Sequence, residues 1–168
     1  MYANYILSFA VALLIHELGH FLAARMCRVT ASELGLGWGP RLFGIRVRGV
    51  EYKLHALPIG AYVRLDMGQL QRRPLGQQLF VLMAGILVNL VAGYAAYGTF
   101  FGVINLLLAI GNILPVYQQD GWKCGMVLVR AYFNRKSPLV EWTFTLVGGG
   151  GTLIVLFGQK LMQLLGIA

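Results

Sequence analysis

From Tyr5 to Ala24 the chain is apolar apart from Ser8, His16, Glu17 and His20. About 20 such residues in helical form, rising about 1.5 Å each, cover the ~30 Å hydrocarbon core of a bilayer. The stretch therefore reads as a membrane-spanning helix. Its bases, Arg25 and Arg28, follow the apolar run, and no small-residue cleavage site is present, which is not the pattern of a secretory signal peptide. Residues 79–117 are apolar almost throughout and too long for one crossing. They read as two helices, about 79–98 and 102–117, turning near Gly98, Thr99 and Gly102. A fourth apolar segment, about 139–157, contains the run Gly148–Gly151, which weakens a helix. The expected fold class is an α-helical polytopic membrane protein with about four transmembrane helices. Composition agrees: 58% of residues are hydrophobic and 12% charged, where soluble domains carry about a quarter charged. A soluble, disordered or collagen-like chain is excluded.

The net charge is +8, from 14 Lys and Arg against 6 Asp and Glu. Arg28, Arg41, Arg46, Arg48, Lys53, Arg64, Arg72 and Arg73 all lie between the first and second spans, and the turn between the second and third is uncharged. Positive loops stay cytoplasmic, so the N-terminus is expected outside and the long loop inside, in a bacterial cytoplasmic (inner) membrane. The basic excess is then a topology signal, with anionic lipid headgroups as neighbours and no nucleic-acid partner. Cys27 and Cys124 make no disulfide framework and read as small apolar residues, although thiols are good zinc donors.

The long loop alternates. Ile45 and Val47 interleave with Arg46 and Arg48; beyond Gly49, Val50, Tyr52 and Leu54 interleave with Glu51, Lys53 and His55. Period two on both sides of an Arg-Gly turn predicts an amphipathic hairpin. Ala61, Val63 and Leu65 against Tyr62, Arg64 and Asp66 continue the pattern after Pro58 and Gly60. A small membrane-associated β region over about 43–66 is therefore expected between the first and second spans.

The chemistry sits inside the first helix, in His16-Glu17-Leu18-Gly19-His20. Residues four apart share a helix face, so both imidazoles can converge on one metal, with Glu17 free to move a proton. Three ionisable groups at membrane depth cost roughly 2.5–3.5 kcal/mol each and need a partner, which a divalent cation supplies. Glu17 lies eight residues before Arg25, roughly 12 Å beneath the cytoplasmic edge by helical rise. Zinc usually takes three protein ligands plus water, so a third donor is required. Asp120 is one candidate. It follows Pro115, which must break the third helix, and precedes an apparent helix over about 121–133, where it could also serve as an N-cap. His55 is the rival, on the polar side of the hairpin. Asn112, Gln118, Gln119 and the backbone released by Pro115 offer water a path to that depth.

These motifs together resemble the site-2 proteases, zinc metalloproteases that cut substrates within the membrane. The likeness rests on His16–His20 and on Asn112-(x)2-Pro115-(x)4-Asp120-Gly121. It continues through Gly35-Leu36-Gly37-Trp38-Gly39-Pro40-Arg41-Leu42-Phe43, Leu57-Pro58-Ile59-Gly60-Ala61-Tyr62-Val63-Arg64 and Ala84-Gly85-Ile86-Leu87-Val88-Asn89. Ile86, Ala61 and Trp122 depart from the family pattern, which affects local geometry and leaves the ligands and base in place. The resemblance implies His16, His20 and Asp120 as ligands of one zinc ion per chain and Glu17 as general base. It implies Asn112 near the scissile carbonyl, or else bonding the broken helix. Asn89 would hold the core helices or the substrate, and it shares a face with Gly85 and Gly93. The strand around Gly60, Ala61, Tyr62 and Val63 would be an edge for an unwound substrate. Residues 1–133 would form the catalytic core and 134–168 an additional transmembrane helix. The likeness is to a compact member, with no room for a PDZ or CBS domain.

The implied function is an intramembrane zinc endopeptidase acting on transmembrane or signal-peptide-like segments near the cytoplasmic face of the lipid bilayer. A non-proteolytic membrane scaffold or metal-binding protein would use the same ligands without hydrolysis. Glu17 speaks against it, because a non-ligand carboxylate at depth serves mainly proton transfer. An ordinary zincin acting on soluble peptides would place the motif outside the bilayer.

Overall fold

A computed structural model describes residues 2–133 and, beyond these, 139, 142–143, 145–151 and 157. The elements run α1 (Tyr2–Met26), β1 (Ala31–Val47), β2 (Val50–Leu65), α2 (Met67–Gln71), α3 (Leu75–Ala95), α4 (Phe100–Ile113) and α5 (Asp120–Tyr132). The chain divides into two compact units, Met1–Gly111 and Asn112–Ala168.

Two helices are long and apolar enough to cross a membrane, Asn4–Met26 and Leu75–Ala95. They are the first and second expected spans, the first a few residues longer than the sequence suggested and the second shifted, beginning at Leu75 and ending at Ala95 in place of about 79–98. The expected third span is shorter. Helix α4 covers only 14 residues and stops at Ile113, ahead of Pro115, whose ring and missing N–H end the hydrogen-bond ladder. At about 21 Å by helical rise it falls short of the hydrocarbon core. Four spans are thus not reproduced among the described residues; the fourth, 139–157, lies partly outside them. The turn before α4 is residues 96–99, with Gly98 at φ +81° and the Thr99 hydroxyl accepting from Gly102 N–H at 3.0 Å. Gly102 belongs to α4 and not to the turn, because that hydroxyl caps the helix before it.

The β region begins earlier than expected, at Ala31, so the glycine-rich stretch 35–43 is itself strand. The hairpin turns at Arg48 and Gly49 as the alternation required, both at positive φ (50° and 85°), the backbone of a two-residue turn that matches strand twist. The strands bend enough to pair twice. Leu34 lies opposite both Val63 and Tyr52, and Leu36 opposite both Ala61 and Leu54. Segment 33–36 is therefore flanked on both sides, leaving 61–65 and 43–47 with one partner segment each among the described residues.

The faces separate cleanly. On one, Phe21 of α1 packs with Ala31, Val50, Tyr52, Val63 and Leu65. On the other, Lys53 Nζ bridges Glu33 (3.1 Å) and Glu51 (3.3 Å), Arg64 binds Glu33 (2.8 Å) and Arg41 binds Glu51 (2.8 Å). Between sheet and α3, Asp66 caps α2 by accepting from Gln69 N–H at 2.9 Å, a five-residue helix that no apolar period announces.

The Lys53 hydrogen bond holds the Glu33 carboxyl below its ordinary range, and Glu33 in turn raises Lys53. A lowered carboxylate stabilises fully above its unfolded pKa of about 4.3 and loses that contribution as pH falls through the folded value. The raised lysine stabilises fully below about 10.4 and loses its share as pH climbs through the folded value. Amide exchange in 33–36 and 51–54, corrected for intrinsic rates, is expected to be flat at mid pH and to quicken at both extremes. Glu33→Gln removes the acid limb; an acid limb identical to wild type would contradict this.

Candidate metal centre

Helix α1 buries His16 and His20, each 5% exposed, on one face against α3. Their Nε2 atoms are 3.2 Å apart and the rings meet edge to face. The Nδ1 of His20 lies 2.7 Å from the carbonyl oxygen of Val81 in α3. A carbonyl only accepts, so Nδ1–H donates and Nε2 keeps its lone pair, the tautomer that ligates a cation. At 3.2 Å the pair either shares a proton or turns both lone pairs toward one positive centre.

Glycines allow the two helices to come this close. A Cβ on Gly19 would lie 2.8 Å from the Ala84 carbonyl oxygen, and a Cβ on Gly85 would lie 2.8 Å from His16 Nε2 and collide with His20 Nε2. Gly85 is thus a floor under the imidazoles. Glu17 is half-buried, one position on from His16 and turned away from the α3 contact by helical geometry. Asn89 lies one turn beyond Gly85 on α3, fully buried, with neither its amide nitrogen nor its oxygen hydrogen-bonded.

His55 is not brought to this pair. Its Nδ1–H donates to the Gly39 carbonyl at 2.7 Å and its ring neighbours Tyr62 at 6.2 Å, on the polar face of the sheet. Phe21 packs on the opposite face. Gly60, at φ +104°, passes under the Trp38 indole, which a side chain there would strike. Ala61, Tyr62 and Val63 pair with Leu36, Gly35 and Leu34.

In the second unit, Asp120 is buried at 5% exposure and its Oδ1 accepts from Lys123 Nζ at 2.9 Å. It is not the N-cap of α5. Gln119 holds that position, with Asp120 in the first turn, where the helix dipole favours a carboxylate. Gly121 must follow it, because a Cβ there would collide with the carbonyls of Ile113 and Leu114. Asn112 is half-buried in the last turn of α4. Burial, aided by the Asp120 charge, pushes the Cys124 thiol up to about 11, so it stays protonated at neutral pH and offers no thiolate. The Val81 carbonyl is invisible in the sequence because any residue supplies one; Gly85 is visible there as part of a small-residue spacing and of the segment Ala84–Asn89, but not as a floor under the imidazoles.

The model of peptidase family M50 matches residues 4–101. The chain belongs to this family, the site-2 proteases. The matched stretch holds the histidine pair, Glu17, the sheet, Gly85 and Asn89, while Asn112 and Asp120 follow it. A protein of Clostridium acetobutylicum assigned as a zinc metalloprotease is 37% identical over 94 residues, covering 51% of this chain and 28% of its own length. One of Synechocystis with the same assignment is 35% identical over 120 residues, covering 63% and 31%. A protein of Arabidopsis thaliana assigned as a chloroplastic membrane metalloprotease is 31% identical over 115 residues, covering 61% and 26%. The chain thus spans about 26% to 31% of the length of these relatives.

The residues present fit the zinc that the family implies. Two buried imidazoles, one with its tautomer fixed by a backbone carbonyl, over a floor that excludes a methyl group, are a nitrogen donor pair suited to this ion. Gly85→Val is expected to weaken zinc binding at least about tenfold, as disturbed ligand support does. Gly76→Ala, earlier on α3 with open space around it, leaves zinc content unchanged. Metal analysis of the purified variants checks both.

Proposed function

We propose that this chain is the catalytic part of an intramembrane zinc endopeptidase that hydrolyses peptide bonds in transmembrane or signal-peptide-like segments. One observation carries the reading: a buried imidazole pair, with a carboxylate beside it, in the middle of an apolar helix long enough to cross a bilayer. Such groups at depth are costly unless a cation and a reaction need them. His16, His20 and Asp120 would hold one zinc ion, which when bound supplies Lewis-acid activation of water and of the scissile carbonyl. The burial of Asp120 at the start of a helix that follows a proline break supports its part.

The chain's own residues account for the remaining steps. Val81 fixes His20 through Nδ1, so no imidazole proton interferes on the ligand side. Glu17 takes the proton from the attacking water and returns it to the leaving amine, which leaves the carboxylate as it began. The Asn112 amide would stabilise the oxyanion. An unwound substrate has peptide groups to satisfy in an apolar medium. The one-sided segment 61–65 and the unpaired amide of Asn89 both offer partners. By the distribution of bases, the N-terminus lies outside and the sheet on the cytoplasmic side.

Glu17→Gln is expected to retain zinc and to lose cleavage of transmembrane peptides by at least about two orders of magnitude. Zinc analysis and a gel assay in detergent check this. Equal cleavage by both proteins would remove Glu17 from the chemistry.

A further inference from the structure

A cavity of about 170 Å³ lies between α1 and the apolar face of the sheet, lined by Leu14, Leu36, Phe43, Ile45, Tyr52 and Leu54 among others. The one charged side chain on its wall, Lys53, has its ammonium engaged by Glu33 and Glu51. The rest of the wall is predominantly apolar, with Tyr52 carrying a hydroxyl. Phe43 and Ile45 on the outer strand remain 61% and 50% exposed, so the chain's own side chains do not close the space.

Its position gives it meaning. Leu14, Glu17 and Phe21 stand at i, i+3 and i+7 on α1 and share a face. Leu14 lines the cavity and Phe21 packs on Ala31 and Val50, so both touch the sheet. Glu17 lies between these two contacts, with the imidazoles on its other flank, toward Val81. The carboxylate therefore separates the histidine pair from the cavity by about one helical turn. Since an extended peptide advances about 3.3 Å per residue, a side chain within about two residues of the attacked bond would reach the cavity.

We propose that this cavity is a specificity pocket that receives one large apolar side chain of the substrate, of leucine or phenylalanine size, next to the cut. The inference rests on the peptidase reading above. Volume supports the guest: a cavity of about 150 Å³ lined by Leu, Ile and Phe takes up benzene. A lipid tail is far longer than this space and could insert only its end.

The test uses the full chain in lipid nanodiscs and a transmembrane peptide carrying Ala, Leu or Phe at each position within three of the cut. Wild type prefers Leu or Phe over Ala at one of these positions by at least about tenfold in kcat/KM. Leu36→Trp, which fills the cavity, removes that preference, lowering the large-residue peptides about tenfold while the Ala peptide stays within about threefold. Ile45→Trp repeats the test from the outer strand, and zinc content confirms that each variant is intact. A preference unchanged in both variants, or an equal fall for all peptides with zinc retained, overturns the pocket alone. No cleavage by wild type, or equal cleavage by Glu17→Gln, overturns the peptidase reading instead. Phe43→p-benzoylphenylalanine in the Glu17→Gln chain gives photo-adducts with the peptide; adducts with lipid alone overturn the pocket without any need for turnover.

Discussion

The hydrogen bond from His20 to the Val81 carbonyl joins the first membrane-length helix to the second and decides what the first can do. Without it an imidazole buried in an apolar helix would carry an unmet polar group, at a cost of about 1–3 kcal/mol. With it, the ring is fixed in rotation and in tautomer, and its second nitrogen faces His16 at 3.2 Å. The bond forms only because the helices approach closely, and that approach depends on Gly19 and Gly85 lacking a Cβ. Sequence, packing and chemistry meet at these four positions.

The sheet solves a different problem with the same economy of means. Backbone removed from water must satisfy its own polar groups, and a strand flanked on both sides does so. Here the segments flanked on both sides are 33–36 and 51–54. The sheet's apolar face rests on Phe21, and its polar face is neutralised by a chain of Lys and Arg bridges to Glu33 and Glu51. These bridges are individually weak where exposed, so their value lies in fixing which face turns outward. The outer segments, 43–47 and 61–65, have one partner segment each among the described residues.

Much of this was legible in the amino acids. The first two membrane-length helices follow from apolar length, the hairpin turn from Arg48-Gly49 between alternating runs, and the end of α4 from Pro115. The histidine pair follows from its spacing of four. Other features were not legible, for physical reasons. Strand β1 begins at Ala31 because its early residues gain partners from two distant segments, and single-sequence alternation cannot see tertiary pairing. Helix α2 is too short to show a period. The Val81 carbonyl and the floor at Gly85 are backbone properties that no side-chain pattern encodes. Asp120 reads as a helix cap from local preference, yet Gln119 holds the cap; the carboxylate is buried one residue later, where a cap would gain nothing from that burial.

The claim on which the functional account turns is that two imidazoles and the Asp120 carboxylate grip the same ion. Zinc-edge X-ray absorption on the zinc-loaded chain, compared with Asp120→Ala, addresses it most directly. The account predicts a four-coordinate shell with two imidazole nitrogens at about 2.0–2.1 Å and oxygen donors at about 2.0–2.2 Å. In the variant, the nitrogens are retained and zinc occupancy falls. A shell containing sulfur, or a shell and occupancy identical in both proteins, would contradict it.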